Sequence, residues 1–235
     1  MRSTQGIVCA AAALLAVPLT GRALTPDDLQ PVAALATPAA RSGTLEPGFE
    51  ALFDGTSFEG WDGDTARTWR IVDNAIVGGS LDETVPHNEF LATTREFGDF
   101  VLKVQFKLLG TEGEINAGVQ VRSQRVPGHH EMVGYQLDLG DPAWWGSLYD
   151  ESRRNRVLAQ SDMAVVSRVL RRGDWNDYEI RCDGRRIVAV INGAQTIDYT
   201  EPDAAIPQRG RIALQVHGGG KAQVWYRQIR VRPLP

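Results

Sequence analysis

The chain of 235 residues is 43% hydrophobic and 23% charged, with a formal net charge of −4. That length accommodates one globular domain with a full hydrophobic core plus appendages. The mild acidity, with no Lys/Arg block, argues against nucleic acid and anionic membrane surfaces as partners.

The first residues carry the marks of an export signal. Arg2 provides the positive end, and Ile7 to Leu19 is an apolar run too short for a stable membrane-spanning helix. Gly21-Arg22-Ala23 places small residues where a signal peptidase reads them. Residues 1–23 are therefore expected to be a signal peptide, with an uncleaved N-terminal anchor as the alternative. Cleavage would leave no stable membrane span and only Cys182 of the two cysteines, so the mature chain would form no internal disulfide. An exported protein without disulfides fits the periplasm or exterior of a bacterium. Cys182, inside the strand-like Glu179-Ile180-Arg181-Cys182, reads as a small buried hydrophobe rather than a nucleophile. Residues 24–47, with Pro26, Pro31, Pro38 and Pro47, cannot hold a regular element and read as a linker to a domain spanning 48–235.

From Phe49 onward, short apolar or alternating runs are separated by Gly, Asn and Asp. In chain order the expected strands are Trp69–Val72, Ala75–Gly78, Phe100–Leu108, Ile115–Arg122, Gly134–Leu139, Trp175–Cys182, Arg186–Ile191, Arg211–His217 and Ala222–Val231. Asp73-Asn74, Asp183-Gly184 and Asn192-Gly193 tolerate positive φ and serve as hairpin turns. No window supports an amphipathic helix longer than two or three turns. The pattern predicts an all-β sandwich or jelly roll.

Strand residues two apart share a face. Asn116, Gly118, Gln120 and Arg122 then oppose Ala117, Val119 and Val121, while Gln136 and Asp138 oppose Tyr135, Leu137 and Leu139. Arg211, Ala213, Gln215 and His217 oppose Ile212, Leu214 and Val216. Any antiparallel sheet with one wet face alternates in this way. An ordinary wet face, however, favours residues such as Lys103 and Lys107, whereas these three strands carry amides, Arg, Asp and His, which suit hydroxyl and carbonyl groups. The loop that follows holds Trp144, Trp145 and Tyr149 beside Asp141, Asp150 and Glu151. Aromatic rings stack on pyranose faces and carboxylates accept from sugar hydroxyls, although the tryptophans could equally fold into a satellite core.

In order along the chain, Leu52-Phe-Asp-Gly55, Gly60-Trp61, Trp69-Arg-Ile-Val-Asp-Asn74 and Asp99-Phe100 precede Asn116-Ala-Gly-Val-Gln-Val-Arg122. Gly134-Tyr-Gln-Leu-Asp138, Gly146-Ser-Leu-Tyr149, Trp175-Asn176, Ile191-Asn-Gly193 and Leu214-Gln-Val-His217 follow. This ordered set, from Phe49 to Val231, resembles the 3-keto-disaccharide hydrolase domain family. The resemblance implies a concanavalin A-like jelly roll of two antiparallel sheets acting on a sugar or 3-keto-sugar. Two departures stand out: Asn116-Ala117-Gly118 replaces the usual Asn-Ser-Gly, and Gln136 stands where many members carry Glu, with Asp138 supplying a carboxylate two residues later.

A ketone at C3 acidifies the C2 hydrogen, so a base can remove it while the C1 substituent leaves; adding water completes a net hydrolysis. Such a route needs a base, an electrophile for the enolate oxygen and an acid for the leaving oxygen. The candidates are Asp138 or His217 as base, Arg122 with Gln136 or Asn116 at the enolate oxygen, and Tyr149 or Glu151 at the leaving group. Gln120, Gln215, Trp144, Trp145 and Asp150 would contact substrate. No cofactor is required by this scheme, but a divalent metal ion could stabilise the enolate instead. His129-His130-Glu131 and the group Asp138, Asp141, Asp150 and Glu151 would then be its ligands, neither with a recognised metal spacing. Adjacent histidines on an extended loop are expected to point apart. The alternatives are a non-catalytic, lectin-like sugar-binding module and an envelope scaffold. A two-carboxylate glycosidase fits less well, because only Asp138 lies on an expected strand face.

Overall fold

The computed structural model describes residues 45–235. The expected signal peptide and the linker up to residue 44 lie outside the described residues. Two antiparallel sheets form a sandwich. Sheet A has the order β13(Ala194–Thr200), β12(Arg186–Ile191), β11(Asn176–Asp183), β6(Phe100–Gly113), β15(Gly220–Pro233), β4(Ala75–Gly79) and β3(Trp69–Val72), with β1(Glu50–Ala51) also pairing β15. Sheet B runs β10(Val157–Ala159), β9(Leu148–Glu151), β8(Met132–Gly140), β7(Asn116–Arg125), β14(Gly210–Val216), β5(Glu89–Phe97) and β2(Trp61–Asp62). The chain therefore passes repeatedly between the sheets, for instance from β5 to β6 to β7 and from β13 to β14 to β15, as a jelly roll does. The only described helix is the single turn α1(Met163–Val166). Among the described residues no helix is long and apolar enough to cross a membrane.

Local chemistry explains the main hairpins. Asp73 and Asn74 take φ of +50° and +58°, which closes β3 onto β4 in the register Val72 with Ala75. Asn192 and Gly193, at +48° and +84°, close β12 onto β13. Trp69 lies flat across Gly78, where an added Cβ would meet the indole at 2.4 Å. The inward residues of β7, β8 and β14 meet Leu102, Val104, Phe106, Tyr178, Ile180, Val224 and Tyr226 in one continuous core. Burying such side chains contributes about 1.5–3 kcal/mol each. The Tyr226 hydroxyl spans the two layers, reaching the carbonyls of Gly118 at 2.8 Å and Gln215 at 3.0 Å. Cys182 is fully buried in this core, and burial pushes its thiol up to about 12, which removes it as a nucleophile at neutral pH.

Strands β5, β9, β10 and β13, and the two-residue strands β1 and β2, are absent from the sequence expectations. Phe90, Leu91 and Ala92 of β5 are all buried, Leu91 in the main core and Phe90 and Ala92 on the other face. A strand covered on both sides does not alternate. Sheet A behaves differently: β11 alternates strictly between buried and exposed, one side in the core and the other in water.

Candidate functional site

The outward face of sheet B holds the candidate site. With Val119, Leu137 and Leu214 in the core, Gln120, Gln136, Asp138 and Gln215 must face away from it. Register places Gly118 beside Asp138 on one side and Gln215 on the other, and Gln120 beside Gln136. Tyr149 on β9 pairs with Gln136, and Glu151 with Gly134, so both add to the same face. His217 follows β14, and its backbone N–H donates to Asn116 O at 3.0 Å. The face is polar yet buried: Gln120 and Gln215 are fully covered, Gln136 is 2% exposed and Asp138 4%.

Three side chains form a directed chain. Gln120 Nε2 donates to Gln136 Oε1 at 3.1 Å, and Gln136 Nε2 donates to Asp138 Oδ1 at 2.8 Å. Beside it, both amide atoms of Gln215, Gln120 Oε1 and Asn116 Oδ1 have no hydrogen-bond partner among the described residues. Each such buried atom costs about 1–3 kcal/mol unless something pairs with it. Burial pushes the Asp138 carboxyl up to about 8, helped by the nearby charge of Glu151 and opposed by the Gln136 hydrogen bond. Burial, with Glu131 adding to it, lifts Glu151 to about 7. Asp138 is therefore mostly protonated at neutral pH. His217 Nδ1 lies 2.6 Å from Gly218 O, an atom that can only accept. Nδ1 thus carries the ring proton, leaving Nε2 as a bare lone pair in the neutral imidazole.

Three residues expected here lie elsewhere. Arg122 takes φ +53° at a register shift between Val121 and Gln124, which swings it off the polar face. Its guanidinium is spent on Gly98 O, Gly184 O, Gln208 Oε1 and Asp99 Oδ1 at 2.5–2.9 Å. Asp150 points to the opposite side of β9 from Tyr149 and Glu151, and is fully buried in ion pairs with Arg153 and Arg154. Arg154 also binds Glu201, which accepts from Tyr135 Oη at 2.8 Å. Trp145 is a core residue, stacked on Phe106 and tied through Nε1 to Asp141 Oδ1 at 2.9 Å. Trp144 remains half-buried in the loop.

The sequence profile of the 3-keto-alpha-glucoside-1,2-lyase-like domain matches residues 48–232. The chain belongs to that family. No curated protein matches it in sequence. Among solved structures, a candidate glycosyl hydrolase from Parabacteroides distasonis superposes with a TM-score of 0.63 at 17% identity, covering 82% of this chain and 99% of its own. A second from the same organism gives 0.57 at 20% identity, covering 79% and 99%. The carbohydrate-binding module CBM66 of Bacillus subtilis gives 0.57 at 13% identity, covering 73% and 94%. These likenesses establish the fold of the lyase-like domain, and the family makes it a carbohydrate-active one.

The β7–β8 connection of the lyase-like domain folds over the outer face of sheet B. Arg125 reaches back to His130 O, Asp62 O and Phe90 O at 2.8–3.3 Å, above a small apolar patch of Phe90, Ala92, Met132 and Ala213. A cleft of about 560 Å³ opens there, lined by His87, Glu89, His129 and His130 among others. His129 and His130 do not point apart: their ring centroids are 4.1 Å from each other, and His130 stacks on His87 at 3.9 Å. The sequence offered no sign of the approach of His87, which lies in a loop before the unexpected strand β5. Nearly parallel rings direct their in-plane lone pairs side by side, so His87 and His130 as placed cannot both reach one ion at about 2.1 Å. Among the described residues no group of three or more His, Cys, Asp or Glu is arranged to hold a metal.

Gly118 supplies a void that the polar chain needs. A Cβ there would come within 2.8 Å of Gln136 Cγ and 2.9 Å of its Cδ. Gly118→Ala is expected to displace Gln136 from Asp138 at an overpacking cost of about 1–3 kcal/mol. Substrate turnover should fall while the circular dichroism spectrum stays native; unchanged turnover would show that the Gln136–Asp138 contact does not matter.

Proposed function

We propose that this domain is an exported, periplasmic or extracellular enzyme that cleaves 3-keto-glycosides by elimination across C1 and C2. The observation that carries the reading is a carboxyl held neutral at pH 7, Asp138, in the same buried face as unpaired amide atoms. A polyhydroxylated ring with a ketone offers donors to Asn116 Oδ1, Gln120 Oε1 and Gln215 Oε1, and an acceptor to Gln215 Nε2. In this scheme His217 Nε2 removes the C2 proton and Gln215 Nε2 donates to the C3 oxygen as charge develops on it. The C1–O bond breaks as the C1=C2 bond forms, and Asp138 gives its proton to the departing oxygen. Water adding across C1=C2 then completes net hydrolysis. Asp138 stands level with Gly118 and Gln215, and His217 two residues further along from Gln215, so Asp138 and His217 are about 12 Å apart at Cα with Asn116 of β7 between them. Tyr149 and Glu151 flank the leaving-group side, while the Arg122, Asp150 and Trp145 roles fall away.

Purified protein incubated with 3-keto-glucosides should consume them and leave the unoxidised glucosides intact, because only the ketone acidifies C2. Equal turnover of both, or of neither, would overturn the reading. Repeating the assay with a chelator reads out any metal requirement. The second reading is lectin-like binding alone: the unpaired amides would serve it as well, and it is favoured by the likeness to a carbohydrate-binding module. In that case sugar binding would persist with no product.

A further inference from the structure

The outward face of sheet A carries a cluster that the site on sheet B does not use. Trp175, just before β11, and Trp225 on β15 are half-buried there, with ring centroids 6.5 Å apart at 88°. Lys107 Nζ of β6 lies 4.3 Å from the Trp225 centroid and 5.1 Å from that of Trp175. The Arg227 guanidinium lies 3.9 Å over Trp175. Of the other cations on the same two strands, Lys103 and Arg230 pair with Glu46 and Lys221 with Glu112, while Arg232 lies 4.9 Å from the Phe49 ring centroid, away from the two indoles. Lys107 and Arg227 form no ion pair with a carboxylate among the described residues. Gln105 Oε1, a neutral acceptor, takes the Arg227 Nε–H at 2.8 Å. Burial pushes the Arg227 guanidinium below its ordinary value, and the more distant Asp174 and Asp177 offset this only in part. Two cations, one of them disfavoured by its surroundings, thus lie over indoles in a protein whose net charge is −4.

We propose that this face is a second glycan-contact surface, which takes an acidic polysaccharide. Uronate carboxylates would accept from Lys107 and Arg227, and the C–H faces of the sugar rings would pack on the exposed parts of the two indoles. Gln223, whose Oε1 accepts from Trp225 Nε1 at 2.8 Å, leaves its NH₂ for a hydroxyl, whereas Gln105 is spent on Arg227 and Asp177. An acidic peptide would satisfy the cations and leave the indoles uncovered. The inference stands independently of the chemistry on sheet B, since the two faces lie on opposite sides of the core.

The test is affinity electrophoresis of the full chain in gels containing polygalacturonate, neutral dextran or poly-glutamate. Retardation is expected with polygalacturonate only. The Lys107→Gln/Arg227→Gln double variant keeps much of the side-chain stems that pack on the indoles, and should bind about 10-fold more weakly. Trp225→Ala should weaken binding similarly, and Asp138→Asn should leave it unchanged. If Trp225→Ala does not fold, the double variant decides, with its thermal midpoint as the folding control. Retardation by dextran would point to a neutral-sugar platform, and equal retardation by poly-glutamate to a protein-docking surface. Either result, wild-type binding by the double variant, or no retardation at all would overturn the proposal. Loss of binding in Asp138→Asn would place the polysaccharide on sheet B instead, and would do the same.

Discussion

Replacing Asp138 by Asn is expected to lower kcat on 3-keto-glucosides by about 10²–10⁴-fold, the usual worth of a positioned general acid, while making the domain more stable at neutral pH. The carboxyl titrates at about 8 in the folded chain against an ordinary 3.8. Between those values the folded state keeps a proton that the unfolded chain has released. Stability therefore falls as pH rises through that window and levels off above it, by about 1.4 kcal/mol for each pH unit crossed. An Asn side chain escapes this penalty, and its Oδ1 can still accept from Gln136 Nε2. Urea unfolding at pH 5, 7 and 9 should show the variant gaining on the wild type as pH rises. In the wild type, activity should fall on the alkaline side near pH 8, where Asp138 ionises. A variant that is less stable and still active would remove Asp138 from the mechanism.

Arg122→Met should have the opposite profile, a loss of about 3 kcal/mol in stability with kcat per folded molecule changed by less than a factor of about 3. The guanidinium is fully enclosed and joins β7 to the β5–β6 turn at Gly98 and Asp99, to the β11–β12 turn at Gly184, and to Gln208. Removing it strands two carbonyls, an amide and a carboxylate whose positions it sets. The midpoint of urea denaturation and a turnover assay on the remaining native protein measure the two quantities separately. A hundredfold fall in kcat at unchanged stability would return Arg122 to the reaction.

The contrast between these residues shows where sequence reading works and where it stops. Asn116, Gln120, Gln136, Asp138 and Gln215 sit on strands whose inward partners are all aliphatic or aromatic, so period-2 alternation was enough to group them. Alternation also put Arg122 on that face. The register shift and left-handed backbone that remove it are properties of one φ angle, which Arg seldom adopts. Asp150 was placed with its loop neighbours Tyr149 and Glu151. The short strand β9 restores alternation there and sends Asp150 to the other side. Trp144 and Trp145 were indistinguishable in sequence; only the core position of Phe106, some forty residues earlier, separates them. The burial of the polar face was not legible either. It depends on which distant parts of the chain close over the sheet, a long-range matter that local pattern does not encode.

The direction of the Gln120–Gln136–Asp138 chain has a stereochemical consequence. Each amide spends its NH₂ on the next oxygen along, so the series of dipoles ends on one oxygen atom of the carboxyl, Oδ1. An oxygen already receiving an N–H is the poorer seat for a proton, so the acidic hydrogen of Asp138 belongs on Oδ2. Asp138 is thereby a one-handed acid. The two amides decide which of its oxygens can deliver, and hence from which side of the sugar a leaving group can collect the proton.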